Sequence, residues 1–315
     1  MINRILTFYT RSFAVWVLVF GAVAWFMPAP FVWMKPGMNW FFALTMFGIG
    51  VALDIEDFKR IVRNPSIVAV GTAAQFLIMP FGAYAIARIM RLPDELAVGL
   101  ILTGAAPGAM ASNVMSYIAK ADTAYSVSLT TVSTLLCPLL TPGLTLLLAG
   151  TRLDVSFLSM FYSVLQTVVL PLILGFLIKM KFSKQIAPIL PVFPAISATF
   201  IIFICSMVIA LNRDYLGAVT GIVLITCLIL NVYGMLMGYG VGALFRMETR
   251  RRRTLSIEIG MQNAGLGVVL ALAHIGEHAA VPAALFVFIC IITGSVMAAV
   301  WQRTSKEATA VANIP

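Results

Sequence analysis

Ten apolar runs follow one another along the chain, at roughly 11–28, 37–53, 65–90, 95–118, 123–149, 155–178, 189–211, 216–245, 254–275 and 279–301. Each can cross a hydrocarbon core of ~30 Å at a rise of ~1.5 Å per residue. The pattern therefore predicts ten membrane-spanning helices. The first run superficially resembles a signal peptide, but the ten-span count needs it as a span. Between the second and third runs, "DIEDFKRIVRN" (54–64) predicts a short helix lying in the interface.

Composition agrees with the pattern. The chain has 315 residues, 61% hydrophobic and 10% charged, with a mean hydropathy of +1.01. A soluble domain needs more polar cover than that, so the fold class is an all-α polytopic membrane protein. A net charge of +9 raises nucleic acid as a partner, but the basic residues fall in short loops between apolar runs, where they act as an orientation signal.

With ten spans, Arg4, Arg11, Lys59, Arg60, Arg63, Lys120, Lys179, Lys181, Lys184, Arg246, Arg250–Arg253, Arg303 and Lys306 share a side with both termini. Only Lys35, Arg88, Arg91, Arg152 and Arg213 lie opposite. Sixteen against five predicts a multi-pass protein of the cell inner membrane with both termini cytoplasmic. Cys137, Cys205, Cys227 and Cys290 all sit within apolar runs and read as packing residues.

Two runs are interrupted in a related way. The fourth holds "GAAPGAMASNVMSY" (104–117) and the ninth "IEIGMQNAGL" (257–266). Each has glycines and a polar pair with asparagine, Ser112–Asn113 and Gln262–Asn263. The third and eighth runs also close alike, with "FGAYAIARIM" (81–90) and "YGVGALFRM" (239–247). Five spans is an odd number, so a second copy must be inserted upside down. The reading is two inverted repeats, 1–149 and 150–315. Paired interrupted helices in such repeats point to a transporter's site near the midplane. Pro107 and Gly108 predict a break with free carbonyls on one half-helix and free N–H groups on the other; a simple proline kink is the alternative.

Eleven of the twelve acidic residues lie in loops or at span ends; the twelfth is Glu258. It either reaches the surface beside Arg253 or is buried and neutralised by a cation. "SVSLTTVST" (126–134) puts Ser126, Thr130, Ser133 and Thr134 on one helical face. Such hydroxyls can bond back to their own helix or line a cavity. Hydroxyls, amides, free carbonyls and a single carboxylate suit a hard monovalent cation, sodium above all.

At these residues the chain resembles the bile acid:sodium symporter family, in particular bacterial homologues of the apical sodium-dependent bile acid transporter. The likeness spans all ten runs. It is most specific in "PGAMASNVMSYIAKADTAYSVSLTTVSTLL" and "SIEIGMQNAGL". It implies a panel of spans 1, 2, 6 and 7 and a core of spans 3–5 and 8–10, with broken helices 4 and 9 crossing in the core. It implies two Na⁺, one at Ser112, Asn113, Ser126, Thr130 and Glu258. The other would use Gln75 of "TAAQFLIMP", Glu258, Gln262 and the carbonyls of Ile259 and Met261. The chain departs from the family pattern GCCPGGT at "GAAPGAM", where Ala105, Ala106, Ala109 and Met110 stand. Met110, with Asn113 and Asn263, is expected to line the substrate space.

The function expected is sodium-coupled symport of a small organic anion, a bile acid or smaller carboxylate, by alternating access. The expected partners are that anion and the bilayer, with no nucleic acid and no obligatory protein. A cation/proton antiporter using Glu258 is the rival. An intramembrane enzyme would need a nucleophile–base pair or an acidic metal cluster, and the spans carry neither. A channel would need a ring of filter groups. His274 and His278 flank Glu277 at metal-like spacing, without a clear third ligand. Gly234, Gly238 and Gly242 predict close helix packing.

Overall fold

The computed structural model describes residues 6, 9, 10, 12–150, 152 and 156–312. Arg4, Arg11 and both chain ends lie outside the described residues, as does the side chain of Lys306. Nearly every described residue is helical. No strand forms among them beyond one bridge, between Gly108 and Gln262.

The principal helices are α1 (Phe13–Phe26), α2 (Met38–Ala52), α3 (Ile55–Arg63), α4 (Pro65–Ile89), α5 (Asp94–Ala105), α6 (Ala111–Ile118) and α7 (Thr123–Ala149). They continue as α8 (Phe157–Lys181, with a π-turn at Leu165–Val169), α9 (Val192–Leu244), α10 (Thr249–Gly260), α11 (Ala264–His274) and α12 (Ala280–Ala312). Among the described residues five helices, α4, α7, α8, α9 and α12, are long and apolar enough to cross a membrane. Residues 15–26 and 29–52 pass the same test together, bent by 113°. The chain is a polytopic membrane protein.

Local chemistry sets the boundaries. Asp54 caps α3 in a capping box with Asp57; acids fill its first turn, and Arg60 and Arg63 its last, as the helix dipole favours. Pro65 starts α4 at the position where a missing N–H costs nothing. Three helices end on a basic residue in the left-handed region: Arg91, Lys120 and Arg246, with φ of 51°, 56° and 51°. In each, the next N–H turns back to a carbonyl five residues earlier: Leu92 to Ala87, Ala121 to Ser116, Met247 to Gly242.

The sequence predicts two spans with a loop at 212–215, but α9 is one helical run. The run nevertheless doubles back. A Cβ on Gly260 would lie 3.5 Å from the Asn231 carbonyl, and one on Gly265 would lie 3.9 Å from Ile201. Five residues reach at most ~18 Å, whereas Ile201 and Asn231 on a straight helix would be ~45 Å apart. The reversal lies beside Asn212, which donates to the Glu277 carbonyl, and Tyr215, which stacks on His278.

The second leg of α9 packs on α10 through Gly238 and Gly242. Added Cβ atoms there would meet the Leu255 carbonyl at 2.6 Å and Arg252 at 3.0 Å. Close packing is therefore the role of the glycine series. All four cysteines are buried and free.

Ion pairs gather in two groups. Lys179–Asp54 and Arg251–Asp122 join basic residues of the larger loop set to acids on the same side. Lys35–Glu277 and Arg152–Asp94 belong to the opposite set. Among the described residues no pair joins the two sets.

Candidate functional site

The two interrupted runs are true breaks. α5 ends at Ala105 and α6 begins at Ala111; α10 ends at Gly260 and α11 begins at Ala264. The unwound segments meet as a two-bond antiparallel bridge. Ala109 N–H donates to the Met261 carbonyl (2.9 Å) and Asn263 N–H to the Pro107 carbonyl (2.8 Å). Each break thus satisfies part of what the other leaves open, as a water-free interior requires. A proline kink alone would leave α5 continuous, so that alternative falls.

Four carbonyls at the ends of α5 and α10 accept from side chains. Thr141 Oγ1 donates to the Ala105 carbonyl (2.7 Å) and Gln75 Nε2 to that of Ala106 (3.5 Å). Gln262 Nε2 donates to the Ile259 carbonyl (2.9 Å) and Asn231 Nδ2 to that of Gly260 (2.8 Å).

Glu258, in the last turn of α10, is 2% exposed. It does not reach the surface; Arg253, five residues earlier, lies against Trp301. Three hydroxyls donate to its carboxylate. Ser112 Oγ (2.5 Å) and Ser126 Oγ (2.8 Å) reach Oε2, and Thr130 Oγ1 (2.5 Å) reaches Oε1. Hydrogen bonds to a charged acceptor are the strong kind. Thr130 Oγ1 also lies 3.3 Å from Asn113 Oδ1, and the two serine oxygens lie 3.5 Å apart. The five residues expected around one ion therefore form one cluster of oxygens. Gly108 completes its wall. Its N–H donates to Ser133 Oγ (3.3 Å), and a Cβ there would collide with Glu258 Oε1. The helical face of Ser126, Thr130 and Ser133 thus turns toward the breaks, while Thr134 is buried without a bond to Glu258.

Gln75 and Gln262 form a second, neutral group. Gln75 Nε2 donates to Gln262 Oε1 (2.7 Å), and Gln262 Nε2 to the Ile259 carbonyl. Gln75 Oε1 is buried with no hydrogen-bond partner. The Met261 carbonyl belongs to the bridge. The recorded bonds of the Glu258 carboxylate all go to the hydroxyl cluster.

The residues expected to face substrate are half-buried at the mouths of the breaks. Asn263 Oδ1 caps α11 by accepting from Leu266 N–H (3.3 Å), and Asn113 Nδ2 lies 3.7 Å from Met110 Sδ. His274 bonds Ser159, and His278 bonds Glu95. Among the described residues no three His, Cys, Asp or Glu gather as a metal site.

Sequence reasoning missed Asn231, Thr141 and the need for glycine at 108. Asn231 carried a signal of its own, an amide inside an apolar run. Thr141 and Gly108 acquire meaning only from what lies opposite them.

Residues 40–219 match the model of a family described as the sodium bile acid symporter family. A Bacillus subtilis (strain 168) protein named an uncharacterized sodium-dependent transporter, YocS, is 41% identical over 308 residues, 98% of this chain and 96% of that one. The probable sodium/metabolite cotransporter BASS1, chloroplastic, of Arabidopsis thaliana is 35% identical, covering 95% of this chain and 75% of its own. The corresponding BASS2 protein of Oryza sativa subsp. japonica is also 35% identical, over 97% and 74%.

Proposed function

Because this chain belongs to the sodium bile acid symporter family, we propose that it couples the entry of a small organic anion to that of two sodium ions, by alternating access. It is a sodium-dependent transporter, and the relatives it matches are named as transporters. The observation that carries the finer reading is the buried Glu258 carboxylate held by Ser112, Ser126 and Thr130 at the crossing of the breaks. Such hydroxyls can turn their protons away and offer lone pairs to a cation, and hard oxygen donors around a single charge suit sodium.

In this reading the first ion lies among Ser112, Asn113, Ser126, Thr130 and Glu258. The second lies at Gln75, Gln262 and the Ile259 and Met261 carbonyls, with Glu258 supplying the charge between them. The Gln262 amide N–H groups now occupy the Ile259 carbonyl. Half a turn of both glutamine amides would aim oxygens inward and give a role to the unpaired Gln75 Oε1. The substrate anion meets the N-terminal ends of α6 and α11, beside Asn113, Asn263 and Met110, where the helix dipoles favour negative charge.

The ten-span organisation belongs to the same proposal. The repeats are 1–149 and 150–315, supported by the matching closures at Arg91 and Arg246. α1, α2, α8 and the first leg of α9 form the panel, and the rest of the bundle from α4 onward forms the core. Contacts between them gather at the Glu277 end: Lys35 with Glu277, Asn212 with the Glu277 carbonyl and Ser159 with His274. That end is the closed one. The uneven loop charge puts it outside and both termini in the cytoplasm, with the protein in the cell inner membrane.

Charge balance accounts for coupling. Two sodium ions, one carboxylate and a monovalent anion sum to zero, and a neutral loaded site moves past apolar walls at least cost. If Glu258 returns ionised, one positive charge enters per cycle, driven by ~2.3 kcal/mol per 100 mV.

The test is uptake into proteoliposomes of radiolabelled taurocholate and a panel of small carboxylates. A sodium gradient should stimulate uptake with a Hill slope of about two, and a valinomycin potential, lumen negative, should accelerate it. A slope near one, or no response to potential, contradicts this stoichiometry. No sodium stimulation for any carboxylate would turn the reading toward a proton antiporter.

A further inference from the structure

We propose that Asn231 is a positioning residue for the second ion, holding the Gly260 carbonyl so that the carbonyls on either side keep their aim; this rests on the symport reading above. Asn231 is fully buried on the second leg of α9, and its Nδ2 donates to the Gly260 carbonyl at 2.8 Å.

That carbonyl sits between the Ile259 and Met261 carbonyls, where α10 unwinds. Glycine has the freest backbone of any residue; the Met261 N–H ties the peptide after Gly260 to the Ile257 carbonyl of its own helix (3.0 Å), and Asn231 holds the carbonyl oxygen of the same peptide from outside. Peptide planarity then carries the restraint forward, because the plane holding the Gly260 carbonyl also holds the Met261 N–H. A Cβ at 260 would collide with the Met235 side chain, so any larger residue there would have to displace it.

The other break is built alike. Gln75, on the helix preceding it, donates to the Ala106 carbonyl, just after the end of α5. The longer Gln75 side chain also bonds Gln262, whereas the recorded side-chain bond of Asn231 goes to Gly260 alone. Asn231 Oδ1 is buried without a hydrogen-bond partner. A leucine of similar size would avoid that cost, so the N–H donor is the physical use of an amide here.

The experiment titrates sodium chloride against potassium chloride, at constant ionic strength, into purified full-length protein. It reads the half-saturating sodium for thermal stabilisation. Asn231→Leu should raise that concentration about fivefold, the equilibrium equivalent of one net hydrogen bond, while melting in potassium stays near wild type. Combined with Gln262→Ala, which disables the same cluster, Asn231→Leu should add little. Combined with Ser126→Ala, its effect should multiply, because that residue serves the other ion. Unchanged half-saturating sodium, or the same fold-change in both backgrounds, would overturn the proposal and leave Asn231 a packing residue. Asn231→Ala carries the same comparison where the leucine variant does not fold. Wild type without sodium stabilisation over potassium would instead sink the symport reading, and this proposal with it.

Discussion

The two polar groups at the crossing differ in how they are finished. Around Glu258, three hydroxyls meet one carboxylate and every recorded donor has an acceptor. Around Gln75 and Gln262, one amide bonds another, a carbonyl is taken by an amide N–H, and one buried oxygen has no partner. A buried charge must be satisfied at all times, because an uncompensated one costs several kcal/mol. A neutral amide can exchange partners at far lower cost. The charged group therefore keeps a partner throughout, hydroxyl or cation, and the amide group is the half with an acceptor to spare when a cation arrives.

Three predictions probe that difference. Glu258→Gln should have the largest effect. Removing the only charge should weaken sodium binding by on the order of 3 kcal/mol, about 100-fold. Thermal melting should lose its sodium dependence while the protein remains inserted. A sodium shift of undiminished size would make the two groups equivalent and end the comparison.

Gly108→Ala should come next. The added methyl collides with Glu258 Oε1, and overpacking costs roughly 1–3 kcal/mol. Sodium-driven uptake should fall by about 30-fold, taking the middle of that range. Gly265→Ala is the control, since its nearest neighbour would be the Phe42 ring edge at 3.3 Å, and its uptake should stay within about twofold. Equal losses in both would show a general intolerance of the breaks rather than a cradle shaped around the carboxylate.

The smallest contrast is the sharpest. Thr130→Val strips a donor from a carboxylate oxygen, a loss of about 1.5 kcal/mol or roughly tenfold in sodium affinity. Gln75→Leu removes the neutral hydrogen bond to Gln262 and the longer one to the Ala106 carbonyl; with the 3.5 Å bond contributing little, the loss is about 1 kcal/mol or roughly fivefold. Sodium titrations of the two variants should keep that order. A larger loss in Gln75→Leu would make the amide group the more tightly built half.

Much of this protein was legible in its sequence because a membrane imposes a harsh rule. A residue that breaks the apolar pattern needs a reason, and Glu258, Gln262, Asn263, Ser112, Asn113 and the Ser126–Thr134 hydroxyls all stood out on that ground. Helix ends were legible for a similar reason. Pro65, the Asp54–Asp57 box and the basic residues closing α4 and α9 act through their own backbone neighbours.

What the tertiary structure alone decided is which groups share a partner. That Glu258 takes three hydroxyls from two other helices, and that the two breaks bond each other at Gly108 and Gln262, depend on contacts across 128 to 154 positions of chain. The reversal within α9 falls where the apolar pattern is interrupted, at Asn212–Tyr215, but that its second leg returns against Gly260 while the first lies against Gly265 is settled only by packing. Periodicity and hydropathy report what a residue wants from water and from its own helix. They do not report which distant carbonyl will lie within 3 Å of an amide, and at Asn231 that contact is the whole of the case.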